Sequence, residues 1–109
     1  MRAYQVVEHG APLQARELPT PAPAGTEVLV KVQRCGVCHT DLHLWDGYYD
    51  FGSGNRLQMA DRGIRPPFTP GHEILGEIVA SGPDAKIEVG GTVIVYPWIG
   101  CDKCATCLD

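Results

Sequence analysis

Two short stretches of the sequence combine metal-binding side chains at close spacing. The first, CGVCHTDLH at residues 35–43, holds two cysteines, two histidines, a threonine and an aspartate. The second arranges Cys101, Cys104 and Cys107 as C-x2-C-x2-C. Cysteines separated by two residues can converge on one ion through a tight turn, and tetrahedral zinc favours such soft ligands. The triplet therefore predicts a structural zinc site whose fourth ligand lies elsewhere.

Cys38 and His72 are weaker signals when each is considered alone. A lone cysteine usually packs as a small hydrophobic residue, and a lone histidine is usually an ordinary hydrogen-bonded side chain. Cys35 and Cys38 also form a C-x-x-C pair, which is a redox motif in thioredoxin-like α/β domains. No α/β pattern surrounds the pair here, so we interpret Cys35 as a packed thiol at the end of a strand.

The composition is typical of one small globular domain. The chain has 109 residues, of which 44% are hydrophobic and 20% charged. Its net charge of −4 offers no basic surface for nucleic acid. No apolar run reaches the roughly 18 residues of a membrane span, and the N-terminus does not resemble a signal peptide, so we expect no membrane partner and a cytoplasmic location. Five cysteines in that compartment indicate metal binding or catalysis rather than disulfides.

Alternating apolar and polar residues predict strands in a mainly β domain. The predicted strands are residues 2–8, 26–36, 72–82 and 91–97. Val28, Val30 and Val32 alternate with polar residues, which predicts one buried face on the second of these strands. Gly76 suggests a bulge in the third.

Helix and loop signals complete the expected fold. A short helix is predicted near residues 39–47, with Thr40 or Asp41 at its start and Gly47 at its end. Proline, glycine or both make loops of the remaining segments, which are residues 18–25, 46–70 and 98–109. The predicted fold class is a partly open β-barrel with short helices and long loops.

The motifs together resemble the N-terminal part of zinc-dependent medium-chain alcohol dehydrogenases. CGVCHTDLH is followed by GHE at residues 71–73 and then by the cysteine triplet, on a chain that opens with MRAYQVVEHG. VLVKV and GTVIVYPW extend the resemblance over the whole chain, and RLQMADRGIRPPFTPGHEI is similar to a bacterial and archaeal branch. The resemblance implies a GroES-like catalytic domain at residues 1–109, truncated before its own C-terminal part and before a Rossmann domain. The absence of G-x-G-x-x-G from the sequence agrees with that expectation.

The resemblance also implies which residues would hold zinc. Cys38 and His72 match two ligands of a catalytic zinc whose third ligand would follow residue 109. Glu73 matches a glutamate that contacts the metal transiently. A structural zinc would be held by Cys101, Cys104, Cys107 and one further cysteine. Since catalytic zinc keeps a position open for substrate, its Lewis acidity would favour ionisation of a bound alcohol.

The remaining residues of the first cluster match positions that move protons or orient ligands. Thr40 matches the hydroxyl that accepts the substrate proton, and His43 the histidine that passes it to solvent. Asp41 matches a carboxylate that orients a zinc ligand, with His72 as the expected recipient. His39 matches a contact of the cofactor pyrophosphate. Taken alone, Thr40 could be a helix cap, His43 a surface histidine and Asp41 an exposed helix-start residue.

The resemblance implies an oxidoreductase that transfers hydride from a small alcohol to NAD or NADP, forming an aldehyde or ketone. Tyr49, Tyr96 and Trp98 match positions of its substrate pocket, although aromatic packing would explain them equally well. The full-length enzyme is expected to be a homo-oligomer, and the 109-residue chain alone to be inactive. A stand-alone zinc-binding GroES-like module and a chaperonin-type interaction domain are the alternatives, and the second gives no reason for the metal-binding residues.

Overall fold

A computed structural model describes residues 1–101 and 103–108. The elements of that part are strands β1 (Arg2–Gln5), β2 (Gln14–Glu17), β3 (Val28–Gly36), β4 (Tyr48–Asp50), β5 (Arg56–Gln58), β6 (Glu73–Ser81) and β7 (Thr92–Val95), helices α1 (His39–Asp46) and α2 (Ala105–Leu108), and a 3₁₀ turn (Met59–Arg62). They form three sheets that do not close on one another, with strand orders β1-β2, β3-β6-β7 and β4-β5. The prediction of a mainly β, partly open fold with short helices is confirmed.

The antiparallel sheet β3-β6-β7 is the main scaffold. Two shifts of register interrupt the pairing of β3 with β6, and one lies between Val32 and Arg34. Gln33 is the extra residue there, so the bulge lies in β3 opposite Gly76 rather than in β6 at Gly76 as predicted. The predicted single buried face of β3 is wrong, because Val32 is 55% exposed.

Besides the 3₁₀ turn, four short elements in three places were not predicted. β2 forms because Gln14–Glu17 pairs with β1, although its own residues do not alternate in polarity. β4 and β5 form a hairpin inside the predicted 46–70 loop, with its tip at residues 52–54. The four-residue helix α2 lies in the predicted C-terminal loop. In all three places, tertiary pairing or a local turn overrides a weak sequence pattern.

The buried core is small. Its fully buried hydrophobic residues are Val6, Met59 and Ile78 in the described part of the chain. Val6 pairs with Phe68 in an isolated bridge, and its backbone N–H donates to the Phe68 carbonyl over 2.9 Å. None of the helices in residues 1–101 and 103–108 is long and apolar enough to cross a membrane.

Hydrogen bonds join the loop after β1 to the C-terminal end of α1. His9 Nδ1 lies 3.1 Å from the Leu44 carbonyl, and the Gly10 N–H donates to the Trp45 carbonyl over 2.9 Å. The Trp45 indole N–H donates back to the Ala11 carbonyl over 2.6 Å. Because carbonyls at a helix end have no partner within the helix, these bonds fix α1 in position.

We predict that Trp45→Phe destabilises the protein by about 1 kcal/mol, because the Ala11 carbonyl loses its donor while most of the ring packing remains. Trp98→Phe is the matched control, since Trp98 is 78% exposed and should be replaceable without measurable effect. Urea unfolding of the intact protein measures both free energies. Equal stabilities for the two variants would mean that the indole hydrogen bond contributes nothing.

Candidate metal centre and its cleft

The N-terminal end of α1 is built around Cys38. Cys38 is the N-cap, with extended backbone angles, and its Sγ accepts a hydrogen bond from the Thr40 N–H over 3.2 Å. The Asp41 carboxylate accepts the Cys38 N–H over 3.1 Å, which completes a capping box. The predicted helix near residues 39–47 is confirmed, with Thr40 and Asp41 in its first turn, but the cap is Cys38 rather than either of them. The C-terminal prediction is confirmed, because Gly47 is left-handed with φ of 87°.

Asp41 connects α1 to the segment before β6. Its carboxylate accepts the Gly71 N–H over 2.8 Å and lies 3.3 Å from His72 Nδ1. Only 4% of its surface is exposed, so Asp41 is not an exposed helix-start residue. An imidazole that donates Nδ1–H to a carboxylate presents the lone pair of Nε2 to the other side. His72 Nε2 points at Cys38, with 3.1 Å between Nε2 and Sγ.

Cys38, His72 and Glu73 bring three different donors together. Their Sγ, imidazole nitrogen and carboxylate oxygen lie within 4.8 Å of one another. Tetrahedral zinc with its usual bond lengths would separate sulfur and nitrogen by about 3.6 Å, so the observed 3.1 Å needs to widen only slightly. The donor chemistry and the spacing fit zinc. Gly36 contributes by having no side chain, because a Cβ there would collide with the Glu73 carboxylate.

The surroundings favour a charged pair of Cys38 and His72. A hydrogen bond from the Thr40 side chain is the largest influence that lowers the pKa of the Cys38 thiol, and the positive His72 ring acts in the same direction. Desolvation opposes charging of His72, but the Asp41 carboxylate and the Cys38 sulfur outweigh it and raise the pKa of His72. Thiolate is the form that binds metal, and a cation would displace the imidazole proton.

The cysteine triplet forms a second donor cluster on the surface. Cys107 Sγ lies 3.8 Å from Cys101 Sγ and 3.4 Å from Cys104 Sγ. Thiolates around tetrahedral zinc are about 3.8 Å apart, so this cluster also fits the ion. Backbone N–H groups of Lys103 and Cys104 lower the pKa of Cys101 to about 7, and the neighbouring thiols add to the effect.

The other predicted residues lie around one large cleft beside the first cluster. The cleft has a volume of about 1260 Å³, and Thr40, His72 and Glu73 line it together with the three predicted aromatic residues Tyr49, Tyr96 and Trp98. His43 stands between two rings, with centroids 4.5 Å from His39 and 4.3 Å from Tyr49. His39 is exposed and His43 half-buried.

Comparison with known proteins identifies this arrangement. The profile of the Alcohol dehydrogenase GroES-like domain family matches residues 24–109, which is most of the chain. The chain belongs to this family. The chain is therefore a GroES-like domain with two donor clusters.

Relatives and solved structures that resemble this GroES-like domain include dehydrogenases. The chain is 40% identical over 108 residues to a NAD-dependent alcohol dehydrogenase of Sulfurisphaera tokodaii, covering 98% of this chain and 30% of that protein. Benzyl alcohol dehydrogenase of Acinetobacter calcoaceticus superimposes with a TM-score of 0.80 at 33% identity, over 98% of this chain and 26% of that one. An alcohol dehydrogenase zinc-binding domain protein of Burkholderia ambifaria gives 0.79 at 30%, over 98% and 25%. This chain thus spans about a quarter to a third of their lengths.

Two glycines shape the site of this GroES-like domain and were not foreseen. Gly36 leaves room for the Glu73 carboxylate, and Gly71 donates its N–H to Asp41 at a φ of 100° that favours glycine. Both flank predicted ligands, in CGVC and GHE. Their closeness to predicted ligands was the available signal. A glycine beside a site is usually there because a side chain would not fit or because the backbone needs a positive φ.

We predict that alkylation of Cys101 in the metal-free protein rises through a midpoint near pH 7, because the thiolate is the reactive form and its pKa is lowered to about 7. Below that pH the thiol is protonated and should react slowly. Iodoacetamide labelling at several pH values, read by peptide mass spectrometry, measures the midpoint. A midpoint near the ordinary thiol value of 9.0 would contradict the described cluster. Zinc should protect the same peptide.

Proposed function

We propose that this domain binds zinc and substrate in an NAD(P)-dependent alcohol dehydrogenase, which oxidises an alcohol to an aldehyde or ketone. One observation carries the proposal: His72 and Glu73 line the same cleft as Thr40, and the Cys38 sulfur lies 3.1 Å from His72 Nε2 in the same donor cluster. A site that fits a Lewis acid beside a hydroxyl group, under apolar walls, suits removal of a proton from an alcohol. The names of the relatives support the same class of reaction.

Cys38 and His72 would hold the catalytic zinc, and Glu73 would contact it when other ligands exchange. When bound, zinc polarises the substrate oxygen and makes the hydroxyl proton easier to remove. Asp41 orients His72 for this task through its 3.3 Å contact with Nδ1. Cys101, Cys104 and Cys107 would hold a second zinc with a structural role.

Thr40 and His43 would carry the substrate proton outward. The Thr40 side chain lines the cleft one turn from His43 on α1, and its hydroxyl can accept the proton at Oγ1 and release its own. His43 is half-buried between the His39 and Tyr49 rings, which restrict its orientation. In this role it would exchange protons with Thr40 and with solvent. Exposed His39 would contact a cofactor phosphate.

The dinucleotide itself would be held mainly by another domain, because the sequence contains no G-x-G-x-x-G. Hydride transfer needs the nicotinamide beside the substrate carbon, so the cleft must be completed by that domain. We further propose a cytoplasmic homo-oligomer as the working form. Tyr49, Tyr96 and Trp98 would contact the substrate body.

The proposal predicts distinct losses at Thr40 and His43 in the intact gene product. Thr40→Ala removes the hydroxyl and should lower kcat/KM by roughly 10²–10⁴-fold at every pH, whereas Thr40→Ser should remain active. His43→Gln should be slowest near neutral pH and recover as pH rises or with imidazole buffer, because solvent bases can replace an outward shuttle. Alcohol-dependent formation of reduced nicotinamide measures the rates.

Zinc content is the control, since neither residue is a predicted ligand and all three variants should bind as much zinc as the wild type. A His43→Gln pH profile parallel to that of the wild type would remove His43 from the proton path. Zinc binding without alcohol-dependent reduction of NAD or NADP in the wild type would reject the proposed enzyme and leave a metal-binding module.

A further inference from the structure

Arg62 differs from the other side chains that line the cleft. Away from the metal donors and Thr40, the lining side chains are aromatic or aliphatic, and Arg62 is the one lysine or arginine among the described lining residues. The net charge of the chain is −4, so this cation is not part of a general basic surface. A single guanidinium on an otherwise apolar wall is a specific feature that needs an explanation.

Arg62 is exposed and its guanidinium has no partner among the described residues, unlike the guanidinium groups of Arg56 and Arg65 in the same segment. Arg56 pairs with the Asp50 carboxylate at 3.0 Å and covers the Tyr48 ring at 4.2 Å. Arg65 donates to the Ala60 carbonyl over 3.5 Å. Within residues 1–101 and 103–108, the Arg62 side chain makes no hydrogen bond or ion pair. It is therefore free to bind a group that enters the cleft.

The backbone under Arg62 is held in place although its side chain is free. Arg62 ends the 3₁₀ turn that begins at Met59, which is only 2% exposed. The Met59 N–H donates to the Gly47 carbonyl over 2.8 Å, directly after α1, and the Ile64 N–H donates to the Met59 carbonyl over 3.0 Å. The backbone of Arg62 is thus held at a fixed position relative to α1, the helix capped by Cys38 that carries Thr40.

We propose that the cleft selects alcohols that also carry a carboxylate, and that Arg62 is the residue that recognises the carboxylate. This inference rests on the proposed function, since it assigns the substrate class of the same site. The substrate hydroxyl would lie at the metal donors, and its apolar body would pack against the aromatic and aliphatic side chains of the cleft. Arg62 would bind its carboxylate. A guanidinium matches a carboxylate through two parallel N–H donors, one to each oxygen. An amide of the same shape has only one acceptor oxygen and no charge, so it cannot accept both donors.

The test compares two probes of nearly equal size in the intact, zinc-loaded protein. These are para-(hydroxymethyl)benzoate and para-(hydroxymethyl)benzamide, which differ in charge at the end remote from the hydroxyl. The wild type should prefer the benzoate in kcat/KM by roughly tenfold, mainly through KM, because a charge-assisted pair contributes uniform binding. Added salt should reduce the preference. Calorimetry without cofactor should show the same order of Kd values.

Arg62→Gln should abolish the benzoate preference, in both the kinetic ratio and the Kd ratio, whereas Arg62→Lys should retain part of it. Arg65→Gln is the matched control: it removes an arginine three residues away that does not line the cleft, and it should preserve the preference.

Three results would overturn the inference. Turnover of both probes without preference would reject the role of Arg62 while leaving the proposed dehydrogenase intact. An Arg62→Gln effect on the KM of NAD or NADP alone would assign the cation to the cofactor instead. No turnover of any alcohol would reject the proposed function, and the substrate class with it.

Discussion

The site depends on one buried carboxylate, that of Asp41. It accepts the N–H groups of Cys38 and Gly71 and lies against His72 Nδ1, so a single side chain joins the helix start to the segment before β6 that carries the histidine. Removing a carboxylate from water costs several kcal/mol, and such a group is retained only where nearby donors offset that cost. Here the donors come from two segments some 30 residues apart. The carboxylate therefore aligns Cys38 Sγ with His72 Nε2.

Such local hydrogen bonding matters because this chain has little core. The radius of gyration is 16.4 Å, whereas a compact domain of this length has about 13 Å. Large hydrophobic residues such as Ile94 and Ile99 are 82% and 98% exposed. Hydrophobic burial within residues 1–101 and 103–108 alone gives weak support to the site. Hydrogen bonds instead hold α1 and the donor residues in place. They are the capping bonds of α1, the bonds between α1 and the loop after β1, and the contacts of Asp41.

The sequence predicted what local patterns determine. Alternation identified β3, β6 and β7, and Gly47 marked the end of α1, because these signals lie in adjacent residues. Gln14–Glu17 could not be predicted as a strand, since only pairing with β1 makes it one. Cys38 was not foreseen as a cap because a thiol seldom replaces the usual serine, threonine or aspartate there.

The donor clusters divide in the same way. The spacing of Cys101, Cys104 and Cys107 suggested a metal site directly, whereas Cys38 and His72 are 34 residues apart and only family resemblance joined them. No periodicity could have placed Arg62 beside the cleft, because the turn that holds it depends on a hydrogen bond to Gly47.

We expect Cys38 and His72 to share one zinc ion. Crystallography of the zinc-loaded intact protein with anomalous scattering at the zinc edge tests it most directly. We expect an anomalous peak bonded to both Cys38 Sγ and His72 Nε2, at about 2.3 Å and 2.0–2.1 Å. A zinc-loaded structure with no peak there, and with Sγ and Nε2 still hydrogen-bonded at 3.1 Å, would contradict it.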